Sequence, residues 1–138
     1  MSKAETAEGV RATIAAYTQA LDDGRTEDVV ATFTPDGVAD IPGMGTLRGH
    51  DDLRRAYSEW EPKRPQRHLV LNTLVAPGDD GRATAVSDVI FLLLGETGWT
   101  IQLVGRYQDV LEHHRGRWLF VRRTASFVTA TSSRKGAQ

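Results

Sequence analysis

The stretch that decides the fold runs from residue 67 to residue 130: RHLVLNTLVA (67–76), PGDDG (77–81), RATAVSDVIFLLLG (82–95), ETG (96–98), WTIQLVGRYQDVLEH (99–113), HRG (114–116) and RWLFVRRTASFVTA (117–130). Four long segments rich in β-branched and aromatic residues alternate with short clusters of glycine and polar residues. Such a pattern reads as four strands joined by tight turns, which makes an antiparallel meander. Strands this long must bend, and Gly95 and Gly105 are the candidate positions. The run VIFLLL (89–94) is apolar on both faces. It predicts a buried central strand and an outer sheet face apolar enough to be covered in a homodimer. The polar tail TSSRKGAQ (131–138) should fray, leaving an ordered core over about residues 6–130.

Upstream of residue 66 the period changes. Val10, Ile14, Tyr17 and Leu21 form one helical stripe, predicting a helix from about Ala4 to Asp22 that Gly24 terminates. TEDVVATF (26–33) reads as a short second helix with Thr26 as its cap, and TPDG (34–37) as a turn. The glycine-rich VADIPGMGTLRG (38–49) reads as irregular, with a short strand at Val38–Ile41. HDDLRRAYSEW (50–60) is a third helix with Leu53, Tyr57 and Trp60 on one side. The order is helices first and sheet second. The fold class is therefore α+β, a single domain over residues 1–138 with three N-terminal helices gathered on one face of a strongly curved antiparallel sheet.

The 138 residues carry a formal charge of −1 and no cysteine. No basic field is present to hold nucleic acid or an anionic membrane surface. Disulfides and thiolate chemistry are excluded, which fits a cytoplasmic protein, and MSKAETAEGV (1–10) lacks the apolar core of a secretory signal. No apolar run is long enough to span a bilayer.

A sheet that curls around helices encloses a cone, and small-molecule sites are concave. QRHLVLN (66–72) should border it: alternation places His68, Val70 and Asn72 on one face and Leu69 and Leu71 on the other. Tyr17 interrupts an apolar stripe, so its hydroxyl needs a partner. Asp22 and Asp23 oppose the dipole at a helix C-terminus, an arrangement that costs a few tenths to about 1 kcal/mol. Taken singly these are a core tyrosine, a turn and an edge-strand histidine. Together, around an apolar cavity, they suit proton abstraction next to a carbonyl. An aspartate fixes the imidazole tautomer, the free ring nitrogen moves the proton, and a tyrosine hydroxyl stabilises the oxyanion. His113 and His114 flank a turn without metal-ligand spacing, so no metal and no cofactor are expected. Asp88, Asn72, Trp60 and one of Arg122 and Arg123 are the candidates for contacting a small hydrophobic substrate. The alternation cannot choose between the two arginines.

These residues carry a family likeness. Through YTQALDDGRTEDVVATFTPDG (17–37), the G…LRGHDDLRRAY segment, RHLVLN and GRYQDVLEHHRGRWLFVRR (105–123), the chain resembles the SnoaL-like branch of the NTF2-like superfamily over about residues 6–130. The likeness implies a cone-shaped fold that hosts dehydratases, isomerases, polyketide cyclases, epoxide hydrolases and binding proteins. Within it, the chain is most similar to the dehydratases of the scytalone and bile-acid 7α-dehydratase type. Their pattern places Tyr17, Asp22 and His68 in catalytic roles and Arg123, or Arg122, on substrate. The second histidine of scytalone dehydratase is not evident. In a ketosteroid-isomerase alignment the general-base position holds Ile41, with Asp40 one residue away. The Asp-Arg-Asp set of the limonene epoxide hydrolases is not clear either.

Overall fold

The computed structural model describes residues 1–128. The fraying expected of residues 131–138 lies outside them. The order is α1 (Lys3–Asp22), α2 (Thr26–Val30), β1 (Phe33–Ile41), β2 (Gly45–Arg48), α3 (Gly49–Glu59), β3 (Gln66–Pro77), β4 (Arg82–Gly95), β5 (Gly98–His114) and β6 (Arg117–Val128). The α+β expectation holds, and the helices lie toward the N-terminus.

α1 starts in a capping box. The Glu5 N–H donates to Ser2 Oγ at 3.0 Å, and the Ser2 N–H donates to Glu5 Oε1 at 2.8 Å. The helix ends where Gly24 takes φ +73° and the Arg25 N–H reaches back to the Ala20 carbonyl at 2.8 Å. Its stripe of Val10, Ile14, Tyr17 and Leu21 is buried in the core with Phe33, Leu111, Trp118 and Phe120. Gly9 lets Trp118 lie against the helix, since a Cβ there would stand 2.5 Å from the indole Cδ1.

The sheet has six strands in the order β2-β1-β6-β5-β4-β3 and is curled but not closed. Strands β3 to β6 form the expected antiparallel meander. The wholly antiparallel sheet does not hold, because β1 pairs with β6 in parallel. The cause is connectivity. A hairpin forces opposed directions, whereas β1 and β6 are separated by a helix and four strands and are under no such constraint. The expected TPDG turn is strand, and the glycine-rich segment supplies β2 as a partner for β1. The second helix stops at Val30, and its N-cap is Arg25 rather than Thr26.

Bulges break the register between Leu71 and Leu74, between Phe91 and Leu92, and between Val110 and Leu111. Each adds local twist. Gly95 is at a hairpin end, opposite Gly98. Gly105 serves close approach instead, since a Cβ there would stand 2.6 Å from the Ser126 carbonyl oxygen.

The register sorts the side chains into rows. His68, Phe91 and Leu103 form one row on the concave face, and Asp109 and Arg123 are paired on another. On the convex face Leu69, Ile90, Val104 and Val128 line up, and Leu69, Val104 and Val128 are exposed.

Candidate active site

Asp22 ends α1 beside β3, an edge strand whose outward N–H and C=O groups have no strand to pair with. One of these groups organises the site: the His68 N–H donates to Asp22 Oδ2 at 2.7 Å. The other carboxylate oxygen receives the Gln66 amide at 3.1 Å and His68 Nδ1 at 2.6 Å. An ionised carboxylate only accepts, so Nδ1 carries the ring proton and Nε2 of a neutral imidazole presents a lone pair. The ring is held by stacking on Phe91, with centroids 4.4 Å apart. No residue among those described bonds Nε2. The carboxylate side chain is 5% exposed and the imidazole 16%, so the pair is sheltered while the ring still reaches open space.

That space is a cavity of about 390 Å³ between the helices and the concave sheet face. Its wall is aromatic: Tyr17 from α1, Tyr57 and Trp60 at the end of α3, His68 and Phe91 from the sheet, and Tyr107 from β5. Val89 and Ala125 also line it. His68 also faces a wider groove of about 710 Å³ between α1 and β3, which Asp22 lines, so the imidazole stands between the two spaces.

The three tyrosines are all the tyrosines of the chain. The Tyr17 and Tyr57 hydroxyls meet at 2.5 Å. The Tyr107 hydroxyl has no partner among the described residues. Burial, reinforced by its neighbours Tyr57 and Asp109, pushes the Tyr17 phenol well above its ordinary range. Burial likewise raises Tyr57 and Tyr107. All three are therefore neutral donors. With folded values above the unfolded one, their contribution to stability is intact below about pH 10 and is lost as pH climbs through the raised values. Alkaline titration should accordingly show no phenolate absorbance in the native protein near pH 10, where free tyrosine ionises. The signal should appear only well above that pH. A native-state phenolate at that pH would contradict the burial of the cluster.

Beneath the tyrosines lies a buried ion pair. Arg123 is 2% exposed, and its Nε donates to Asp109 Oδ1 at 2.9 Å and its Nη2 to Oδ2 at 3.4 Å. The guanidinium carbon sits 3.6 Å from the Tyr107 ring centroid and 4.4 Å from that of Tyr17. Burial pushes the Asp109 carboxyl up while Arg123 pulls against that shift. Burial also works against the charge on Arg123, but Asp109 and the tyrosines outweigh it and raise the guanidinium further.

The structure thus brings Tyr17, His68 and Trp60 to one cavity, with Asp22 bonded to His68 from the adjoining groove. It does not bring the other substrate-contact candidates there. Asn72 sits in a bulge with φ 56°, which reverses the face assigned by alternation, and its amide bonds Asp88 at 3.0 Å. Asp88 is on the convex face, paired with Arg106 at 2.8 Å. Arg123 is the inward arginine but lies behind the tyrosines, where Asp109 occupies two of its nitrogens. Arg122 points outward to Asp40 at 2.7 Å. His50 Nε2 donates to the Phe33 carbonyl, 3.0 Å away. Tyr57, Tyr107 and Gln66 were not anticipated as site residues. For Tyr57 a signal existed, since a second tyrosine on an apolar helix face needs a partner as Tyr17 does.

The SnoaL-like domain model matches residues 2–124. No curated protein matches the chain. Among solved structures, a single-site variant of Rv3472, a protein of unknown function from Mycobacterium tuberculosis, superposes with a TM-score of 0.85 at 26% identity, covering 93% of this chain and 75% of that one. A protein from Catenulispora acidiphila in complex with S-DNPA gives a TM-score of 0.81 at 26% identity, covering 99% of this chain and 100% of that one. An NTF2-like protein with a cystatin-like fold from Novosphingobium aromaticivorans shares the fold, with a TM-score of 0.81 at 18% identity over 94% of this chain and 86% of that one. The chain belongs to the SnoaL-like domain family, within the NTF2-like fold.

Proposed function

We propose that this SnoaL-like chain is a dehydratase or isomerase that works without a cofactor, abstracting a proton next to a carbonyl of a small apolar substrate of the steroid, polyketide or terpenoid class. One observation carries the reading: His68 Nδ1 stands 2.6 Å from Asp22, so the opposite nitrogen is a free base at an aromatic cavity. In this scheme Nε2 takes the proton from the carbon adjacent to the carbonyl. The electron pair moves onto the carbonyl oxygen, and a tyrosine hydroxyl of the Tyr17–Tyr57 pair donates to that oxyanion. Collapse of the enolate expels a β-hydroxyl, which takes the proton from the imidazolium and leaves as water. Where no leaving group is present, the same proton returns to a different carbon and the product is an isomer. Asp22 stabilises the imidazolium between the two steps.

The experiment is solvent-deuterium exchange at the α-carbon of a panel of cyclic ketones and β-hydroxy ketones, read by mass spectrometry. Catalysed exchange or loss of water that disappears in His68→Ala supports the reading. The rival is a binding protein of the same fold, and it predicts ligand affinity unchanged by His68→Ala with no exchange in either protein. A cyclase of polyketide type would use the same base and oxyanion donors on a longer substrate.

The convex face supports a second part of the proposal, a homodimer through the sheet. Leu69, Leu74, Ile101, Val104 and Val128 are exposed there, Leu74 at 74% and Ile101 at 63%. An apolar surface of this kind on a sheet favours a partner. Light scattering should give twice the mass of the chain, and Leu74→Asp combined with Ile101→Asp should give a folded monomer. A monomeric parent protein at micromolar concentration would refute the dimer.

A further inference from the structure

We propose that Arg123 is a positioning residue that never touches substrate: held by Asp109 beneath the rings of Tyr17 and Tyr107, its guanidinium strengthens their hydroxyls as donors to the oxyanion. The inference rests on the proton-abstraction reading for its purpose, and on geometry for its substance. Arg123 is among the largest fully buried side chains, and two of its three nitrogens are occupied by Asp109. The third, Nη1, is buried with no hydrogen-bond partner among the described residues. An unpaired guanidinium nitrogen in a core is costly unless something compensates it. Here aromatic faces do: the guanidinium carbon lies 3.6 Å from the Tyr107 centroid, 4.4 Å from Tyr17 and 4.6 Å from Phe120. A cation over an aromatic face is attracted by the ring's quadrupole, more strongly when both are dry.

The consequence for the hydroxyls follows from where charge moves. When a phenol donates to an oxyanion, negative charge grows on the phenol oxygen and ring. A cation already against that ring stabilises the growing charge, and in a buried site it is poorly screened. Asp109 acts in the opposite sense, and for Tyr17 and Tyr107 the arginine outweighs it. Arginine suits this place because its planar group can stack on rings while its fork is held by a carboxylate.

The test uses 3-fluorotyrosine in place of tyrosine throughout the full chain. Only Tyr17, Tyr57 and Tyr107 take the label, so every fluorine signal reports this cavity. Single Tyr→Phe variants assign the resonances. The comparison is with Arg123→Met/Asp109→Leu, which removes the cation without stranding an anion. Arg123→Lys serves as the conservative variant. In the double variant the acid dissociation constants of the Tyr17 and Tyr107 labels should fall by more than about twofold, the net of losing the nearer cation together with its opposing carboxylate. The Tyr57 label should move less, and Arg123→Lys should restore part of the shift. Dissociation constants within about twofold of the parent, in a double variant with a native circular dichroism spectrum, would overturn the proposal, because burial alone would then account for the tyrosines. If the double variant does not fold, Arg123→Gln/Asp109→Asn, which keeps a hydrogen-bonded pair without either charge, is titrated in its place and decides by the same threshold. If the shift occurs yet the parent protein exchanges no α-proton, the Arg123 effect stands and the proton-abstraction reading is what fails.

Discussion

His68→Ala should lose turnover by about 10²–10⁴-fold, the contribution of a positioned general base, while its melting temperature stays near that of the parent. The fold is spared because Asp22 keeps two donors after the imidazole is gone, the His68 backbone N–H at 2.7 Å and the Gln66 amide at 3.1 Å. Asp22→Asn should be about as damaging to turnover for a different reason. The backbone N–H still requires an acceptor, so the amide oxygen takes the Oδ2 position and its NH₂ faces the imidazole. Nδ1 must then accept, the ring proton moves to Nε2, and the cavity is offered a donor where the reaction needs a base. The two variants therefore separate loss of the base from loss of its tautomer. Imidazole added to the buffer should restore part of the activity of His68→Ala and none of that of Asp22→Asn. Full activity in either variant would remove that residue from the mechanism. Loss of activity accompanied by loss of the fold would be read instead from imidazole rescue, which an unfolded protein cannot show.

How much of this was legible in the sequence depends on the range of the interaction. The stripe Val10, Ile14, Tyr17 and Leu21 and the four strands from Gln66 onward are local periodicities, and they survive in the structure. The Asp22–His68 contact joins residues 46 apart, yet it was foreseeable, since a carboxylate at the wrong end of a helix and a histidine on a half-polar strand face each lack a partner. Asn72 shows where alternation fails. One bulge shifts the phase of everything beyond it, and nothing in LVLNTLV marks the extra residue. The parallel pairing of β1 with β6 was invisible for lack of a hairpin to set it. Asp109 was invisible as well: an acid in the middle of GRYQDVLEH reads as a solvent-facing position until the neighbouring strand supplies Arg123 opposite it.

That pair sets the second large effect. Asp109→Asn or Arg123→Met should each cost about 3–5 kcal/mol, because removing one member leaves the other charge buried without its partner. For a chain of this size that corresponds to a fall of about 10–20 °C in melting temperature. The loss should not be additive. Arg123→Met/Asp109→Leu removes both charges, fills similar volume with apolar atoms, and should recover most of the stability that either single change forfeits. A double-mutant cycle in urea measures the coupling directly. If the double variant is as stable as the parent, the pair is retained at no benefit to folding, and its place against Tyr17 and Tyr107 is what it contributes. If the double variant is instead the least stable of the four, the stacking of the guanidinium on three aromatic rings is itself a major source of core stability, and a methionine side chain in its place cannot supply it. Near-parental stability in both single variants would contradict the burial of the pair, since an exposed ion pair is the kind that loses no more than about 1 kcal/mol when broken.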